Sequence, residues 1–255
     1  MKRAERERLI AERVARDGRV AVPELAARFG VSEVTIRSDL KGLEAEGLLI
    51  RTHGGAVATG AGAQDAPGAD LGSHAPEKAA IARAVRDLIS PGDWVFLGSG
   101  TTCVAIACAL VDCEVNVVTN NLVVAMSLSS GPRAQVIIPG GTLYNAPIPF
   151  LYGDGFETPV ESMSFDLAFL GVMGIDPEFG YSFTNTVESG IFSKVERASK
   201  QLVVVTDSSK FGETSFRGGR GLSMAGAIVT AGEMRDEWRA WCADAGVELV
   251  EAPLG

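Results

Sequence analysis

Five short apolar runs constrain this chain more than any other feature: Trp94-Val95-Phe96-Leu97, Val115-Asn116-Val117-Val118, Val136-Ile137-Ile138, Leu167-Ala168-Phe169-Leu170 and Leu202-Val203-Val204-Val205. Helix-like stretches separate them. Ile81, Val85 and Leu88/Ile89 form an apolar stripe before the first run, and further helical stretches extend through Leu110 and to about Ser129. A strand that is apolar on both faces must be covered on both faces, and intervening helices supply that cover. The prediction is an α/β unit with a mostly parallel sheet and helices on both faces. Ala227-Ile228-Val229 and Val247-Glu248-Leu249-Val250 read as later strands of the same sheet.

The first quarter of the chain has another pattern. Ile10 and Val14 mark an amphipathic helix over about 4–16, ending near Gly18. Val20-Ala21-Val22 is a short strand candidate, and Pro23 suits the first turn of a helix that buries Leu25, Ala26 and Phe29. Gly30 permits a sharp turn, and Ser32 caps a third helix with Ile36, Leu40 and Leu43 inward. Residues 48–51 and 55–57 can pair as a hairpin around His53-Gly54. Helix, helix, tight turn, helix and hairpin make a winged helix-turn-helix. Between the two patterns the chain is small, Gly/Pro-rich and aperiodic, as a linker is. The division is therefore 1–57 for the first unit, 58–75 for the linker and 76–255 for the second unit.

Charge supports two units with different partners. The net charge of −9 hides 11 Lys/Arg against 9 Asp/Glu in residues 1–57, and 12 against 23 in the remainder. Phosphates respond to local charge, so an acidic total does not exclude DNA. At 46% apolar residues the chain is not a disordered one. No apolar run approaches the roughly 20 residues that cross a bilayer, and the charged start leads into no signal-peptide core. Four cysteines without a Cys-x-x-Cys pair, and two histidines, predict neither a disulfide scaffold nor a metal centre, and a cytoplasmic setting. No cofactor is expected.

If Ile36, Leu40 and Leu43 face inward, Thr35, Arg37, Ser38 and Lys41 face outward, offering hydroxyls and cations to phosphates and an Arg to a guanine edge. With Ser32 at the cap, and Arg51 and His53 on the wing, these residues form the expected DNA-facing set. Asp39 is an acid on a DNA-reading helix; its expected role is to orient Arg37 or a neighbouring cation. The strings Val31-Ser32-Glu33-Val34-Thr35-Ile36-Arg37, Asp39-Leu40 and Arg51-Thr52-His53-Gly54-Gly55-Ala56 closely resemble the DeoR family of bacterial transcriptional regulators. The resemblance implies a double-stranded DNA operator as partner. Ser38 departs from it, since the family usually has Arg there.

In the second unit the chemistry collects where strands end. A Gly-rich turn entering a helix exposes unpaired N–H groups at the positive end of the helix dipole, which favours a phosphate. Ser99, Gly100, Thr101 and Thr102 form such a turn. Thr119, Asn120 and Asn121 add hydrogen-bonding groups, and Lys210 adds a charge. Gly140, Gly141 and Gly171 allow close backbone approach, and Glu188 can accept from hydroxyls. Each has a blander reading: a capped turn, a helix-start acid, a solvated cation. Their recurrence at successive strand ends points to a small phosphorylated polyol.

The strings Glu77-Lys78-x-x-Ile81-Ala82, Ser99-Gly100-Thr101-Thr102, Val118-Thr119-Asn120-Asn121, Phe169-Leu170-Gly171 and Asp207-Ser208-Ser209-Lys210 resemble the effector domain of the same family. That resemblance implies a fold related to ribose-5-phosphate isomerase. It also implies a phosphate pocket at 99–102, 119–121 and Lys210, with Glu188 near the sugar. Gly98 departs from it, standing where Asp is common. The implied function is a regulator, usually a repressor of a sugar operon, acting as a dimer or larger homo-oligomer with no membrane association. Two alternatives remain at this point. A sugar-phosphate isomerase would need a base and an enediolate stabiliser, but the strand end Gly171-Val172-Met173-Gly174-Ile175-Asp176 has no paired carboxylates. A protein-docking adaptor would leave no operator footprint.

Overall fold

The computed structural model describes residues 3–17, 19–45, 49–51, 55–58, 73–131, 133–144 and 148–254. Contacts divide the chain into two units, Met1–Pro67 and Gly68–Gly255. The first contains α1 (Arg3–Asp17), β1 (Arg19–Ala21), α2 (Val22–Phe29), α3 (Glu33–Ala45), β2 (Leu49–Arg51) and β3 (Gly55–Ala58). Ile10 and Val14 of α1, Leu25 of α2 and Ile36, Leu40 and Leu43 of α3 close on one apolar core with Leu49 and Ala56. The turn between α2 and α3 depends on Gly30, whose φ of 63° is left-handed and which ends α2. Ser32 Oγ then accepts from the Thr35 N–H at 3.2 Å, the capping bond expected of it.

The hairpin gains a third strand, in the order β1-β3-β2, all antiparallel. Ala21 pairs with Gly55, and a Cβ on Gly55 would lie 1.8 Å from the Val20 carbonyl oxygen. Only glycine lets β3 approach β1 so closely.

The second unit contains α4 (Ala75–Leu88), β4 (Trp94–Leu97), α5 (Thr101–Ala109), β5 (Asn116–Thr119), α6 (Leu122–Leu128), β6 (Gln135–Ile137), β7 (Thr142–Tyr144), β8 (Phe150–Tyr152) and α7 (Asp154–Glu161). It continues with β9 (Phe165–Leu170), β10 (Gly174–Asp176), β11 (Gly180–Phe183), α8 (Thr186–Arg197), β12 (Ser199–Asp207), β13 (Arg217–Arg220), β14 (Ala227–Ala231), α9 (Asp236–Asp244) and β15 (Glu248–Glu251). Seven strands form a wholly parallel sheet in the order β15-β14-β12-β9-β4-β5-β6. Phe96, Ala168, Leu170, Leu202, Val204 and Ile228 pack with Phe156 of α7, Ile191 of α8 and Trp238 of α9. The residues between them along the strands, Val95, Leu97, Phe169, Val203, Val205 and Val229, are also buried. Strand alternation turns these toward the opposite face, and α4 packs there with α5, and α5 with α6. The expected α/β fold with helices on both faces is therefore the observed one. The sequence reading did not separate out the β7-β8 hairpin and the small antiparallel sheet β10-β11-β13. Their strands are only three or four residues long, too short for a period-two pattern to declare itself.

Chain order reverses in the middle of the sheet. From β4 the chain moves outward to β5 and β6, then returns to the other side of β4 for β9, β12, β14 and β15. The switch point lies between β4 and β9, and the crevice outside the carboxyl ends of such strands is where open α/β sheets take ligands.

Candidate nucleic-acid interface and ligand cavity

On α3, Arg37, Ser38 and Lys41 are exposed, as is Ser32 before it, while Thr35 is half-buried. Val34 shares this surface at 77% exposure, a position the polar pattern did not single out. Arg37 Nη2 lies 3.3 Å from Glu33 Oε2 in an exposed i,i+4 pair, a weak contact that a phosphate can replace. The Arg51 side chain and all of His53 lie outside the described residues.

Asp39 does not orient Arg37. It is 1% exposed, and its carboxylate takes two bonds from Arg6 of α1, Nε to Oδ2 at 2.5 Å and Nη2 to Oδ1 at 3.1 Å. Arg3 Nε stands 3.6 Å from the same group. The fork-to-carboxylate geometry fastens α1 to the inner side of α3, and hydrogen bonding to Asp39 holds the Arg6 pKa above its ordinary value. The structural role expected of Asp39 holds, but the cation it orients is Arg6 and not Arg37, because the partner lies 33 residues away in sequence, beyond the reach of a local pattern.

In the second unit, a cavity of about 680 Å³ opens at the switch point. Ser99, Gly100, Thr101 and Thr102 after β4, Gly171 after β9, Glu188 in the first turn of α8 and Lys210 after β12 all line it. These seven come from the predicted set. Gly98 N–H bonds to the Phe169 carbonyl at 3.0 Å, carrying the β4–β9 pairing to the edge of the cavity. At Gly98 itself, a Cβ would fall 2.4 Å from Leu170 Cδ2, so Leu170, another lining residue, fills the space where the family's Asp would begin.

Gly100, at φ 111° and ψ 157°, precedes α5 without giving it a side-chain cap. The first N–H groups of α5 therefore point out unfilled by any side chain of their own, beside the hydroxyls of Thr101 and Thr102. Lys210 is half-buried and has no ion-pair partner among the described residues. Also on the lining, Glu188 Oε2 accepts from the Thr184 N–H at 3.0 Å and its hydroxyl at 2.6 Å, while Asn185 caps α8 by accepting from Glu188 N–H at 2.9 Å.

Thr119, Asn120, Asn121, Gly140 and Gly141 do not line the cavity. The strand order explains it: β5 and β6 lie on the side of β4 away from β9 and β12. Asn121 Oδ1 accepts from Val123 and Val124 N–H at 2.9 and 3.2 Å, so the N-terminus of α6 is already capped. Thr119 Oγ1 accepts from Asn121 N–H at 3.0 Å. Asn120 Nδ2 donates to the Leu151 carbonyl at 3.0 Å, and Leu151 N–H returns a bond to Asn120 O at 2.8 Å. This turn therefore anchors the β7-β8 hairpin, whose Tyr144 and Phe150 do reach the cavity. The Gly140–Gly141 turn packs against backbone: a Cβ on Gly141 would meet Tyr152 O at 2.7 Å, and one on Gly155 would meet Gly141 N at 2.6 Å. Asn121→Ala is expected to lower the stability of the second unit by about 0.5–2 kcal/mol, the value of a helix cap, measured by thermal denaturation. Direct loss of ligand contacts with unchanged stability would contradict this role.

The cavity also holds residues not predicted for it: Ser73, His74, Lys78, Thr184, Asn185 and Asp207. Lys78 and Asp207 sat inside the strings compared above, but only their burial, 6% and 4% exposed, sets them apart from solvated charges. Ile148, Phe150, Val172, Phe183, Ile191 and Phe192 add an apolar wall.

A winged helix-turn-helix with a polar outward helix, joined in one chain to an α/β unit with a cavity at its switch point, defines a DNA-binding transcriptional regulator with a sensor domain. The DeoR-like helix-turn-helix domain matches residues 6–60 and the DeoR C terminal sensor domain matches residues 73–231. The chain belongs to the DeoR family. It is 33% identical over 236 residues to the glycerol-3-phosphate regulon repressor of Escherichia coli strain K12, covering 90% of this chain and 91% of that protein. It is 35% identical over 252 residues to the HTH-type transcriptional regulator GlpR of Haloferax volcanii, covering 97% of each. Among solved structures, ribose 5-phosphate isomerase A of Methanocaldococcus jannaschii aligns with 52% of this chain and 53% of its own, at 16% identity and a TM-score of 0.37. Relatives that match nearly end to end are regulators, and the isomerase alternative is set aside. Among the described residues no helix is long and apolar enough to cross a membrane.

Proposed function

We propose that this regulator represses a carbohydrate catabolic operon and that a phosphorylated sugar in the sensor cavity lowers its affinity for operator DNA. The observation that carries the reading is the uncapped N-terminus of α5, opening into the cavity beside the Thr101 and Thr102 hydroxyls and with Lys210 also on its lining. Unpaired N–H groups, the helix dipole and a cation together suit a phosphate, while the Glu188 carboxylate and the Thr184 and Asn185 side chains suit sugar hydroxyls. Ser32, Thr35, Arg37, Ser38, Lys41, Arg51 and His53 would face DNA. Two copies on neighbouring half-sites would give the operator two-fold symmetry, so a homodimer or larger assembly in the cytoplasm completes the reading.

The mechanism is linkage: a ligand that prefers the arrangement fitting DNA poorly weakens DNA binding, and DNA weakens ligand binding by the same factor. The name of the Escherichia coli relative suggests sn-glycerol 3-phosphate as the first probe, with pentose and hexose phosphates beside it. A ligand at about 100 times its Kd should stabilise the folded protein by roughly 2.7 kcal/mol, a clear rise in Tm. Arg37→Ala is expected to weaken operator binding and leave the thermal shift intact; Lys210→Ala should reduce the shift and leave unliganded operator binding intact. Titrations in which both variants lose only DNA affinity would overturn the two-site reading.

A further inference from the structure

Ser73 and His74 lead into α4 and line the cavity with Lys78. Side chains fasten this entry. Lys78 is buried, and among the contacts of its ammonium is a hydrogen bond donated to the Ser73 carbonyl oxygen at 2.6 Å. His74 has φ 60° and ψ 33°, the only positive φ outside glycine among the described residues. Side chains other than glycine persist there only when their surroundings hold them. Here His74 Nδ1 lies 3.4 Å from Glu77 Oε1 and 3.9 Å from Asp207 Oδ1. Asp207 is in turn fixed by Ser209, whose N–H donates to it at 3.1 Å.

We propose that Lys78 couples the cavity to the chain arriving from the DNA-reading unit: an anion in the cavity competes with the Ser73 carbonyl for the Lys78 ammonium. This rests on the reading that the cavity takes a phosphate. α4 packs directly on α5, whose open first turn is the anion subsite. A bond from the ammonium to a carbonyl is already charge-assisted, but a phosphate oxygen adds the Coulomb attraction of a full opposite charge, which a carbonyl dipole lacks. The low dielectric around a buried ammonium enlarges that difference. As Lys78 turns to the anion, the Ser73 carbonyl loses its donor and the strained His74 loses part of its support. The entry to α4 then loosens while the anion loop tightens. Lys78 and Lys210 thus have different jobs: Lys210 adds affinity, and Lys78 adds affinity and transmits it.

Hydrogen–deuterium exchange on the full-length protein tests this, with inorganic phosphate and sn-glycerol 3-phosphate as probes. Saturating probe is expected to slow exchange severalfold in peptides over 98–104 and to speed it severalfold over 73–80. In Lys78→Met, exchange over 73–80 should be fast without probe and indifferent to it. Lys210→Ala should need more probe but, once saturated, show the wild-type rise over 73–80. Slowed exchange over 98–104 with no change over 73–80 in the wild-type protein would overturn the coupling while leaving the phosphate site standing. No change in either segment would overturn the site and the coupling together. The wild-type pair of segments decides the matter even if Lys78→Met fails to fold.

Discussion

Asp39→Ala should unfold the DNA-reading unit at ambient temperature while the sensor unit keeps its structure. The substitution removes both acceptors of Arg6 and leaves a guanidinium that is itself only 7% exposed without its counter-charge. Breaking a buried pair from one side costs about 3–5 kcal/mol, because the remaining charge is stranded in a poor solvent for it. A unit of some 60 residues is only marginally stable, so a loss of that size removes most of what it has. Calorimetry should show the first transition lost and the second retained, with operator binding abolished. An intact first transition would mean that the Arg6–Asp39 contact does not hold α1 to α3.

Gly100→Ala should weaken phosphate-ligand binding by roughly 5- to 150-fold, the equivalent of the ~1–3 kcal/mol that a residue pays in such a backbone region. At φ 111° and ψ 157° the conformation belongs to glycine. A Cβ at Gly100 would meet nothing within 4 Å, so the effect arises from backbone strain and not from a clash. The loop relieves the strain by shifting, and the N–H groups of α5 leave the positions in which the proposed phosphate site needs them. Calorimetric titration with the best ligand from the thermal-shift panel measures the loss; wild-type affinity would show that the loop conformation is unimportant. Gly171→Ala is the comparison, since its Cβ would sit at an ordinary 3.6 Å from Ser99 O.

Much of the fold was legible because it is written locally. Ile36, Leu40 and Leu43 recur at helical spacing, Gly30 and Ser32 punctuate adjacent helices, and short β-branched runs such as Val203-Val204-Val205 favour a buried strand, which is what forms. The candidate site was legible in part. Ser99, Gly100, Thr101, Thr102, Gly171, Glu188 and Lys210 converge on the cavity, whereas Thr119, Asn120, Asn121, Gly140 and Gly141 serve caps, a hairpin anchor and a close backbone crossing. As sequence, a strand-end turn that lines the cavity and one that caps a helix share the same polar residue types and differ chiefly at the cap position. Asn121 can fill the N-terminus of α6 with its own side chain; Gly100 cannot do so for α5.

Residue order alone therefore determined the helices of the first unit, the strands of the seven-stranded sheet, the boundaries set by Gly, Pro and Ser, and the stock of polar turns at the strand ends, since each depends on neighbours a few positions apart. Tertiary structure decided which turns meet: it placed β4 between β5 and β9, gave Asp39 the distant Arg6, and buried Lys78 against Ser73. Those outcomes follow from long-range strand pairing and from which charges packing removes from water, and neither quantity has a period that a one-dimensional pattern can carry.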